Sequence, residues 1–371
     1  MSKAVLIWGA PTRVEAGSDY ATAFEQSRNN FGNMLIGHAV HSFLAKNDIL
    51  TPPQLKSPAE AQERCSHVVI PAANWLWKDF DFGDIADFLE KTQLPVTIVG
   101  LGAQTNDRTS TSPIHPNTMR LMRLIAERSA TLGVRGFYTA EVLAANGIHN
   151  VEVIGCPSLY TSRCPSVHIN TAGLAQLKAL TVNFSRRVIE HSFNAEQMQA
   201  VENAVLEMAL RHDSSFIAQD ELEELALSAG AEIDTRRLEK YFAGSDPARV
   251  VEFFRTRTRW FHDVDSWASY VRSSSLSIGT RFHGNLIALT NGVPALFIIH
   301  DSRTMELCSL IGAPSLHLQE LPAGTDCAAL LADRLASISF NRFEASYAAL
   351  YRRFVGFLSR NGLDHNLPQP P

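Results

Sequence analysis

Short runs of apolar residues, rich in valine and isoleucine, recur along the chain and alternate with longer segments of helical periodicity. Apolar runs of this length between helices are typical of strands in parallel sheets whose two faces are both covered. The pattern therefore predicts an α/β protein. The predicted strands are Ala4–Trp8, His67–Ile70, Val96–Gly100, Thr131–Val134 and Val151–Ile154 in the first half of the chain, and Leu180–Phe184, Ser215–Gln219, Leu276–Gly279 and Ala295–Ile299 in the second.

Capping residues mark the ends of several helices. Thr139 is predicted to cap a helix over Ala140–Asn146, and Gly147 follows at a position where a left-handed residue is favoured. Asn194, with Gln197 three residues later, forms the pattern of a capping box at the start of a long helix.

The chain is long enough for two domains. The segment Cys156–Ala175 contains prolines and a glycine and has no sustained hydrophobic period, so we interpret it as a linker. An apolar stripe predicts a terminal helix over Phe340–Arg360. We therefore expect an N-terminal domain of residues 1–165, a C-terminal domain of residues 166–338, and a C-terminal helix with a loose tail over residues 339–371.

The composition excludes several classes of protein. Hydrophobic residues make up 45% of the 371 residues and charged residues 19%, which is typical of a folded chain. Because the net charge is −5, we expect no nucleic-acid partner and at most peripheral membrane contact. No apolar run approaches the roughly 20 residues that span a bilayer, and the N-terminus shows no signal-peptide pattern.

The cysteines and the basic residues add two further expectations. The five cysteines are widely spaced and form no CxxC or Cys/His pattern, which favours a reducing compartment without a disulfide framework or metal site. We therefore expect a cytoplasmic protein, with a place at the inner face of the membrane left open. The chain has 26 arginines and 7 lysines, an excess typical of a GC-rich genome unless particular arginines have a role.

Polar residues follow several predicted strands, which is where ligands bind in open parallel sheets. Arg135 is placed either to bind an anion or to form a surface ion pair. The sequence leaves open whether Gln219 has a binding role or a structural one. Asp220 beside it is predicted to cap the next helix. Asn33 either caps a helix, which is the favoured interpretation, or offers its amide to a hydroxylated ligand.

Two arginine patterns belong to the second half of the chain. Asn183 and Arg186 lie where the strand Leu180–Phe184 ends, in a pattern that resembles a phosphate cradle. Arginines at every second position predict an extended segment with one charged face, and a solvated edge strand is favoured over an anion track. These arginines are Arg255, Arg257 and Arg259.

The densest signal lies between Ser277 and Pro294. A predicted strand ends at Gly279, and Arg281 and His283 lie in the turn that follows. Gly284 and Asn285 then open a helix, so backbone N–H groups, an arginine and a histidine share one place. This arrangement favours an anion site with a proton donor beside it.

These residues resemble the signature of a known family, the polysaccharide pyruvyl transferases. The specific part of the resemblance comprises Gly279–Gly284, Gly292–Pro294 and Asp301–Thr304. Weaker similarity covers Gly32–Asn33, Pro95–Gly102, Gly133–Arg135, Thr139–Ile148 and Gly155–Pro157.

The resemblance implies a GT-B-like fold, with two Rossmann-like domains facing across a cleft. It also implies transfer of pyruvate from phosphoenolpyruvate to a sugar, commonly as a ketal. His283 falls on the family's active-site histidine and Arg281 on the arginine before it. Arg135 falls on a donor-binding arginine, and Arg303 on a position where many members have lysine.

The chain departs from the family pattern in two places. Pro71–Asn74 stands where many members have a glycine-rich turn, and Cys156 where many have aspartate. The expected function is pyruvyl transfer to a sugar of a cell-surface polysaccharide, or to a lipid-linked saccharide precursor. No cofactor beyond the donor substrate is expected, and a homo-oligomer is left open. Two alternatives remain: a nucleotide-sugar glycosyltransferase of GT-B fold, and an inactive relative that binds a glycan or an anion.

Overall fold

The computed structural model describes residues 3–44, 49–104, 113–322 and 324–370. The strands within these residues are β1 (Ala4–Ile7), β2 (Ile49–Leu50), β3 (Cys65–Pro71), β4 (Val96–Leu101), β5 (Leu132–Val134), β6 (Val151–Val153), β7 (Leu180–Asn183), β8 (Ser214–Ile217), β9 (Thr258–Arg259), β10 (Leu276–Gly279), β11 (Ala295–Ile299) and β12 (Ser315–His317). The α-helices are α1 (Tyr20–Gln26), α2 (Gly32–Phe43), α3 (Pro58–Arg64), α4 (Gly83–Thr92), α5 (Pro116–Arg128), α6 (Phe137–Ala145), α7 (Ala195–Arg211), α8 (Leu222–Ser228), α9 (Arg236–Tyr241), α10 (Pro247–Arg257), α11 (Val264–Val271), α12 (Phe282–Thr290), α13 (Ser302–Ile311), α14 (Cys327–Ala336) and α15 (Asn341–Arg360).

The chain divides into two compact units, and neither unit is one continuous stretch. The first comprises residues 1–10, 36–166 and 347–371, and the second comprises residues 11–35 and 167–346. The chain therefore passes from one unit to the other between Ala10 and Pro11, within α2, within the predicted linker and within α15.

The first unit contains a six-stranded sheet in the order β2-β1-β3-β4-β5-β6. Each neighbouring pair of strands is parallel. The aromatic stripe of α15 packs in this unit, where the ring of Phe354 stacks on Tyr160 at 4.1 Å between centroids. Tyr160 lies in a buried 3-10 turn, Pro157–Tyr160, so the first part of the predicted linker is packed.

The second unit contains a six-stranded parallel sheet in the order β12-β11-β10-β7-β8-β9. If β7 to β12 are numbered 1 to 6, the order of the strands read from β9 is 3-2-1-4-5-6. This is the order of a doubly wound fold, in which the winding direction reverses between β7 and β10. Aromatic side chains fill the core beside β7 and β8, where Phe184 stacks on Phe216 at 5.4 Å. The predicted class, α/β with two Rossmann-like sheets, is confirmed.

Each predicted strand is present; Leu276–Gly279 and Ala295–Ile299 match their predicted bounds, and the ends of the others differ by at most two residues. Three strands of two or three residues, β2, β9 and β12, were not predicted because they are too short to form an apolar run. Among the residues that the structure describes, no helix has the length and apolar character needed to cross a membrane.

Two predicted caps differ from the structure. The Thr139 cap is wrong, because α6 begins at Phe137 and the Thr139 hydroxyl accepts the Ala103 N–H instead. Asn194 does cap α7, and Gln197 donates its backbone N–H to the Asn194 side chain. The predicted reciprocal bond is absent from the described contacts, since Gln197 donates its side-chain amide to the Pro322 carbonyl.

The predicted extended segment of alternating arginines is also wrong. Arg255 and Arg257 lie in the last turn of α10, and Arg259 alone belongs to a strand. The helix forms because Val250, Phe253 and Phe254 lie on one helical face and are buried.

Candidate functional site at the switch point of the second sheet

The site predicted around the Gly279–Gly284 turn lies at the carboxyl ends of β7 and β10, where the second sheet reverses direction. Ligands bind at this position in doubly wound folds. Gly279 has a φ of +152°, and a Cβ there would overlap the backbone oxygen of Asn183, so the two strands approach closely only with glycine at this position.

A buried amide network fixes the turn. The Asn183 side chain accepts the Arg281 backbone N–H at 2.7 Å and donates to the Asn285 side-chain oxygen at 2.9 Å. Asn285 in turn donates to the Gly279 carbonyl at 2.9 Å and accepts from the Ser277 hydroxyl at 2.8 Å. Asn183 and Asn285 were predicted as substrate ligands. Their contacts hold the end of β10 and the start of α12 in place, and substrate binding by these two residues stays a prediction.

Arg281 is buried and has acidic partners that the sequence did not indicate. Its Nε donates to the Phe184 carbonyl and to Glu221, each at 2.9 Å. Its Nη2 pairs with Glu221 at 2.7 Å and with Asp220 at shorter range. Binding of a substrate anion by Arg281 stays a prediction, and it requires Arg281 to exchange one of these partners.

The two acidic residues follow β8. Glu221 accepts the backbone N–H groups of Gln219 and Asp220 as well as the Arg281 guanidinium, so its carboxyl joins the end of β8 to the turn after β10. Burial raises the pKa of Glu221, and the charge of Arg281 opposes that rise. Asp220 does not cap α8 as predicted, because Glu221 is the N-cap residue.

A second buried carboxyl supports the same region from α7. Glu202 accepts the Ser185 backbone N–H at 2.7 Å, the Thr280 hydroxyl at 2.6 Å and the Tyr241 hydroxyl at 2.7 Å. Burial raises the pKa of Glu202, and these hydrogen bonds oppose the rise. Nothing in the sequence near Glu202 distinguishes it from a solvated helical glutamate.

His283, Gly284 and Gln219 lie together at the first turn of α12. His283 is the second residue of the helix and is partly buried. A Cβ at Gly32 would lie 2.7 Å from His283 Nδ1 and 3.0 Å from Gln219 Oε1. A Cβ at Gly284 would lie 2.9 Å from Gln219 Nε2 and 3.0 Å from Asn183 Nδ2. Two glycines therefore let the backbone approach the histidine and the carboxamide closely.

Arg303, after β11, has a free donor. Its Nη2 lies 3.2 Å from Asp301 Oδ2, and its buried Nε makes no hydrogen bond within the described residues. Burial favours the neutral form of Asp301, but the charges of Arg303 and His300, together with hydrogen bonds from Thr304, outweigh it and hold the pKa of Asp301 at about 2. His300 is fully buried, and its two ring nitrogens also make no hydrogen bond in the part of the chain that is described. Burial lowers the pKa of His300 to about 4.

Two other predicted site residues have structural partners. Arg186 pairs with Glu224 at 2.6 Å and with Glu223 at shorter range, so its role as an anion ligand stays a prediction that requires release of these partners. Asn33 lies inside the first turn of α2 and donates to the Ser27 carbonyl at 3.2 Å. Its predicted capping role is wrong, because the helix begins one residue before it.

Arg135 belongs to the first unit and is buried at the end of β5. Its guanidinium donates to the Gly100 carbonyl at 2.8 Å, to the Asn74 side chain at 3.0 Å and to the Ala72 carbonyl at 3.2 Å. These three acceptors orient the guanidinium. Binding of the donor by Arg135 stays a prediction.

The sequence model of the polysaccharide pyruvyl transferase family matches residues 30–302, more than two thirds of the chain. The protein belongs to the polysaccharide pyruvyl transferase family.

Comparison with individual proteins gives weaker similarity. No curated protein matches the sequence of this pyruvyl transferase family member. The chain is similar to the S. aureus MnaA–UDP co-structure, with 12% identity, complete coverage of both chains and a TM-score of 0.46. It is also similar to the Methanocaldococcus jannaschii UDP-GlcNAc 2-epimerase in complex with UDP-GlcNAc and UDP, with 13% identity over 96% of this chain and 99% of that one, and a TM-score of 0.47. A trehalose-6-phosphate synthase matches 81% of this chain and 73% of its own, with 11% identity and a TM-score of 0.40. Similarity at this level adds no argument about function.

The two departures from the family pattern have clear places in this pyruvyl transferase family member. Asn74, at the end of the Pro71–Asn74 segment, is the side chain that accepts from Arg135. Cys156 is buried at the start of the Pro157–Tyr160 turn, and its sulfur accepts the Ser158 hydroxyl at 2.9 Å. Within the described residues, no group of three His, Cys, Asp or Glu side chains is placed to hold a metal ion.

Proposed function

We propose that the protein transfers pyruvate from phosphoenolpyruvate to a sugar of a cell-surface polysaccharide or its precursor, forming a ketal and releasing phosphate. The observation that carries the proposal is the position of His283. This histidine lies on the first turn of α12, at the switch point of the second sheet, in a chain of the pyruvyl transferase family. An anionic substrate bound there would lie beside both the imidazole and a helix N-terminus that favours anions.

His283 acts in this proposal as the general acid. It donates a proton to the methylene carbon of phosphoenolpyruvate, and the adjacent carbon gains oxocarbenium character. One sugar hydroxyl attacks that carbon. The bond to the phosphate oxygen then breaks, and a second hydroxyl closes the ketal. Of the two hydroxyl protons, one restores the imidazolium and the other leaves with phosphate.

The arginines have different roles in this scheme. In the second unit, Arg303 is the residue best placed to bind phosphoenolpyruvate. Its Nε is without a partner among the described residues, and a planar guanidinium suits a carboxylate or phosphate. Arg281 acts through its ion pairs, which hold the turn that carries His283. Donor-substrate binding by Arg135, whose guanidinium is oriented within the first unit, is carried over from the family resemblance.

The remaining assignments follow from the reaction. Phosphoenolpyruvate is a substrate, so no cofactor is required, and the chemistry needs no metal. The acceptor is a sugar or a lipid-linked saccharide. Because phosphoenolpyruvate is made inside the cell, we place the reaction in the cytoplasm, at or near the inner face of the membrane.

The test is phosphate release from phosphoenolpyruvate in the presence of saccharide acceptors, together with proton NMR for the new ketal methyl group. We expect both signals with the wild-type protein. We expect neither with His283→Asn, and normal signals with the exposed control His149→Asn. Phosphoenolpyruvate binding without phosphate release would indicate an inactive relative, and transfer from a nucleotide sugar would indicate a glycosyltransferase. Either result overturns the proposal.

A further inference from the structure

The side-chain nitrogen of Gln219 is a buried donor without an acceptor. The residue is 2% exposed, and its Nε2 makes no hydrogen bond within the described part of the chain. Its backbone is fixed, since its N–H donates to Glu221 at 2.7 Å and its carbonyl accepts from Phe31 at 2.9 Å. Buried donors in proteins are almost always paired, so an unpaired one held on a rigid backbone points to a ligand.

This nitrogen lies against the N-terminus of α12. It is 2.9 Å from the position that a Cβ would have at Gly284, the third residue of the nine-residue helix. The N-cap residue, Arg281, makes no side-chain hydrogen bond to the first turn. The first N–H groups of a helix point out of its end and carry partial positive charge. The Gln219 side-chain nitrogen and the first backbone N–H groups of α12 are therefore two independent sets of hydrogen-bond donors at the same end of the helix.

Glycines allow the backbone to approach the carboxamide closely on both of its sides. Any other residue at position 284 would press on Gln219 Nε2, and any other residue at position 32 would press on Gln219 Oε1 and His283 Nδ1. His283 thus lies beside Gln219 at the same end of α12. A group bound there would lie next to the proton donor of the proposed reaction.

We propose that Gln219 Nε2 and the first turn of α12 form an oxyanion subsite that takes the phosphoryl group of the donor and then retains the inorganic phosphate product. An oxyanion fits because the amide nitrogen and the helix N-terminus both donate. The phosphoryl group is favoured over the carboxylate because attraction to a helix N-terminus rises with the charge of the ligand. The identity of the donor rests on the proposed function, whereas binding of phosphate does not.

The test measures the affinity of inorganic phosphate by calorimetry, with pyruvate as the carboxylate probe. We expect Gln219→Glu to weaken phosphate binding at least tenfold, because it replaces the donor with a negative charge. The surface control Gln176→Glu adds the same charge elsewhere in the second unit and should stay within twofold of wild type. We expect inorganic phosphate to compete with phosphoenolpyruvate, and pyruvate affinity to change less than phosphate affinity.

Gln219→Met separates binding from a structural role. Methionine has a similar length and removes the unpaired donor, so the melting temperature should stay the same or rise while phosphate affinity falls at least fivefold. The subsite is wrong if phosphate binds Gln219→Glu or Gln219→Met as it binds wild type, if wild type binds no phosphate, or if pyruvate is the ligand that is lost. If phosphate binding depends on Gln219 but no phosphate is released from phosphoenolpyruvate, the subsite is supported and the proposed function is contradicted. If the protein turns over phosphoenolpyruvate but the Gln219 variants bind phosphate as wild type does, the proposed function is supported and the subsite is contradicted.

Discussion

Arg281 and Glu221 form a buried ion pair, with Nη2 of the arginine 2.7 Å from Oε1 of the glutamate. The other carboxyl oxygen, Oε2, accepts the backbone N–H groups of Gln219 and Asp220 at 2.7 Å and 3.1 Å. One carboxyl group therefore sets the relative positions of the β8 end, which carries Gln219, and of the turn that leads to His283. The pair is a structural support of the candidate site.

The first prediction concerns the Glu221 carboxyl. Both of its oxygens accept N–H donors, whereas an amide has only one acceptor oxygen. Glu221→Gln therefore leaves buried N–H groups facing an NH2 group, and we expect the free energy of unfolding to fall by about 3 kcal/mol. Urea unfolding at neutral pH measures the change.

Glu223→Gln is the matched control for this prediction. The Glu223 side chain is 35% exposed, and its partner Arg186 keeps the buried Glu224 when Glu223 is neutralised. We expect a loss below about 1 kcal/mol. Equal losses in the two variants would show that the Glu221 carboxyl has no special structural role.

Much of the fold could be predicted because its strands are buried on both faces. A run such as Val96–Leu101 has four aliphatic residues and a single polar one, Thr97, which distinguishes it from an exposed segment. The short strand Thr258–Arg259 has no such run. The alternating arginines before it suggested an extended segment, although Val250, Phe253 and Phe254 already had helical spacing.

Less of the candidate site could be predicted, because its partners are distant in sequence. The turn after β10 was recognised from its own residues, Arg281 and His283. The acidic partners of Arg281 lie about 60 positions earlier, where an acidic residue after a strand is usually a helix cap. The unpaired nitrogen of Gln219 is a property of three-dimensional packing alone, and no local pattern signals it.

Gly32→Ala is predicted to lower activity without unfolding the protein. The added Cβ would lie 2.7 Å from His283 Nδ1, so the imidazole must move from its position on α12. Alanine at the first residue of α2 also favours the helix by up to about 1 kcal/mol, which offsets the crowding. We expect phosphate release to fall at least tenfold while the melting temperature changes by only a few degrees.

The control for this change is Gly83→Ala. Gly83 also begins a helix, α4 of the first unit, and its Cβ would lie 2.9 Å from the Asn117 side chain. The two variants thus carry the same substitution, the same helical position and a similar crowding of polar atoms. Normal turnover is expected for Gly83→Ala, and equal activity of both variants would argue against a role of the close approach between Gly32 and His283.

Arg303 is predicted to contribute mainly to binding of phosphoenolpyruvate, and Arg186 mainly to stability of the fold. Arg303 has one ion pair, and its Nε has no partner among the described residues, so Arg303→Ala should weaken phosphoenolpyruvate binding at least tenfold. It should cost less stability than Arg186→Ala, because the buried Asp301 keeps its two hydrogen bonds from Thr304. Arg186→Ala leaves the Glu224 carboxyl, 1% exposed, without its cation, and should lower the free energy of unfolding by about 3 kcal/mol. Calorimetry with the donor and thermal unfolding separate the two effects. Weakened donor binding at normal stability in Arg186→Ala would instead support Arg186 as a ligand.

His300 is predicted to make the protein less stable in weak acid. Its pKa is about 4 in the folded protein, against an ordinary value of 6.5. Between these values the unfolded chain holds a proton on this histidine that the native state excludes, so stability falls as the pH falls from about 6.5 to about 4. Over that range the loss from this one group is about 3 kcal/mol.

The slope of stability against pH is the measurement that isolates this group. His300→Gln cannot titrate in this range, so the free energy of unfolding should fall by about 2 kcal/mol less than in wild type between roughly pH 7 and pH 4.5. His67, whose pKa burial also lowers to about 4, remains in the variant and keeps part of the slope. The exposed control His149→Gln should retain the wild-type slope. A wild-type slope in His300→Gln would mean that the Asp301 carboxylate beside the ring lets the imidazole take up its proton within the folded protein.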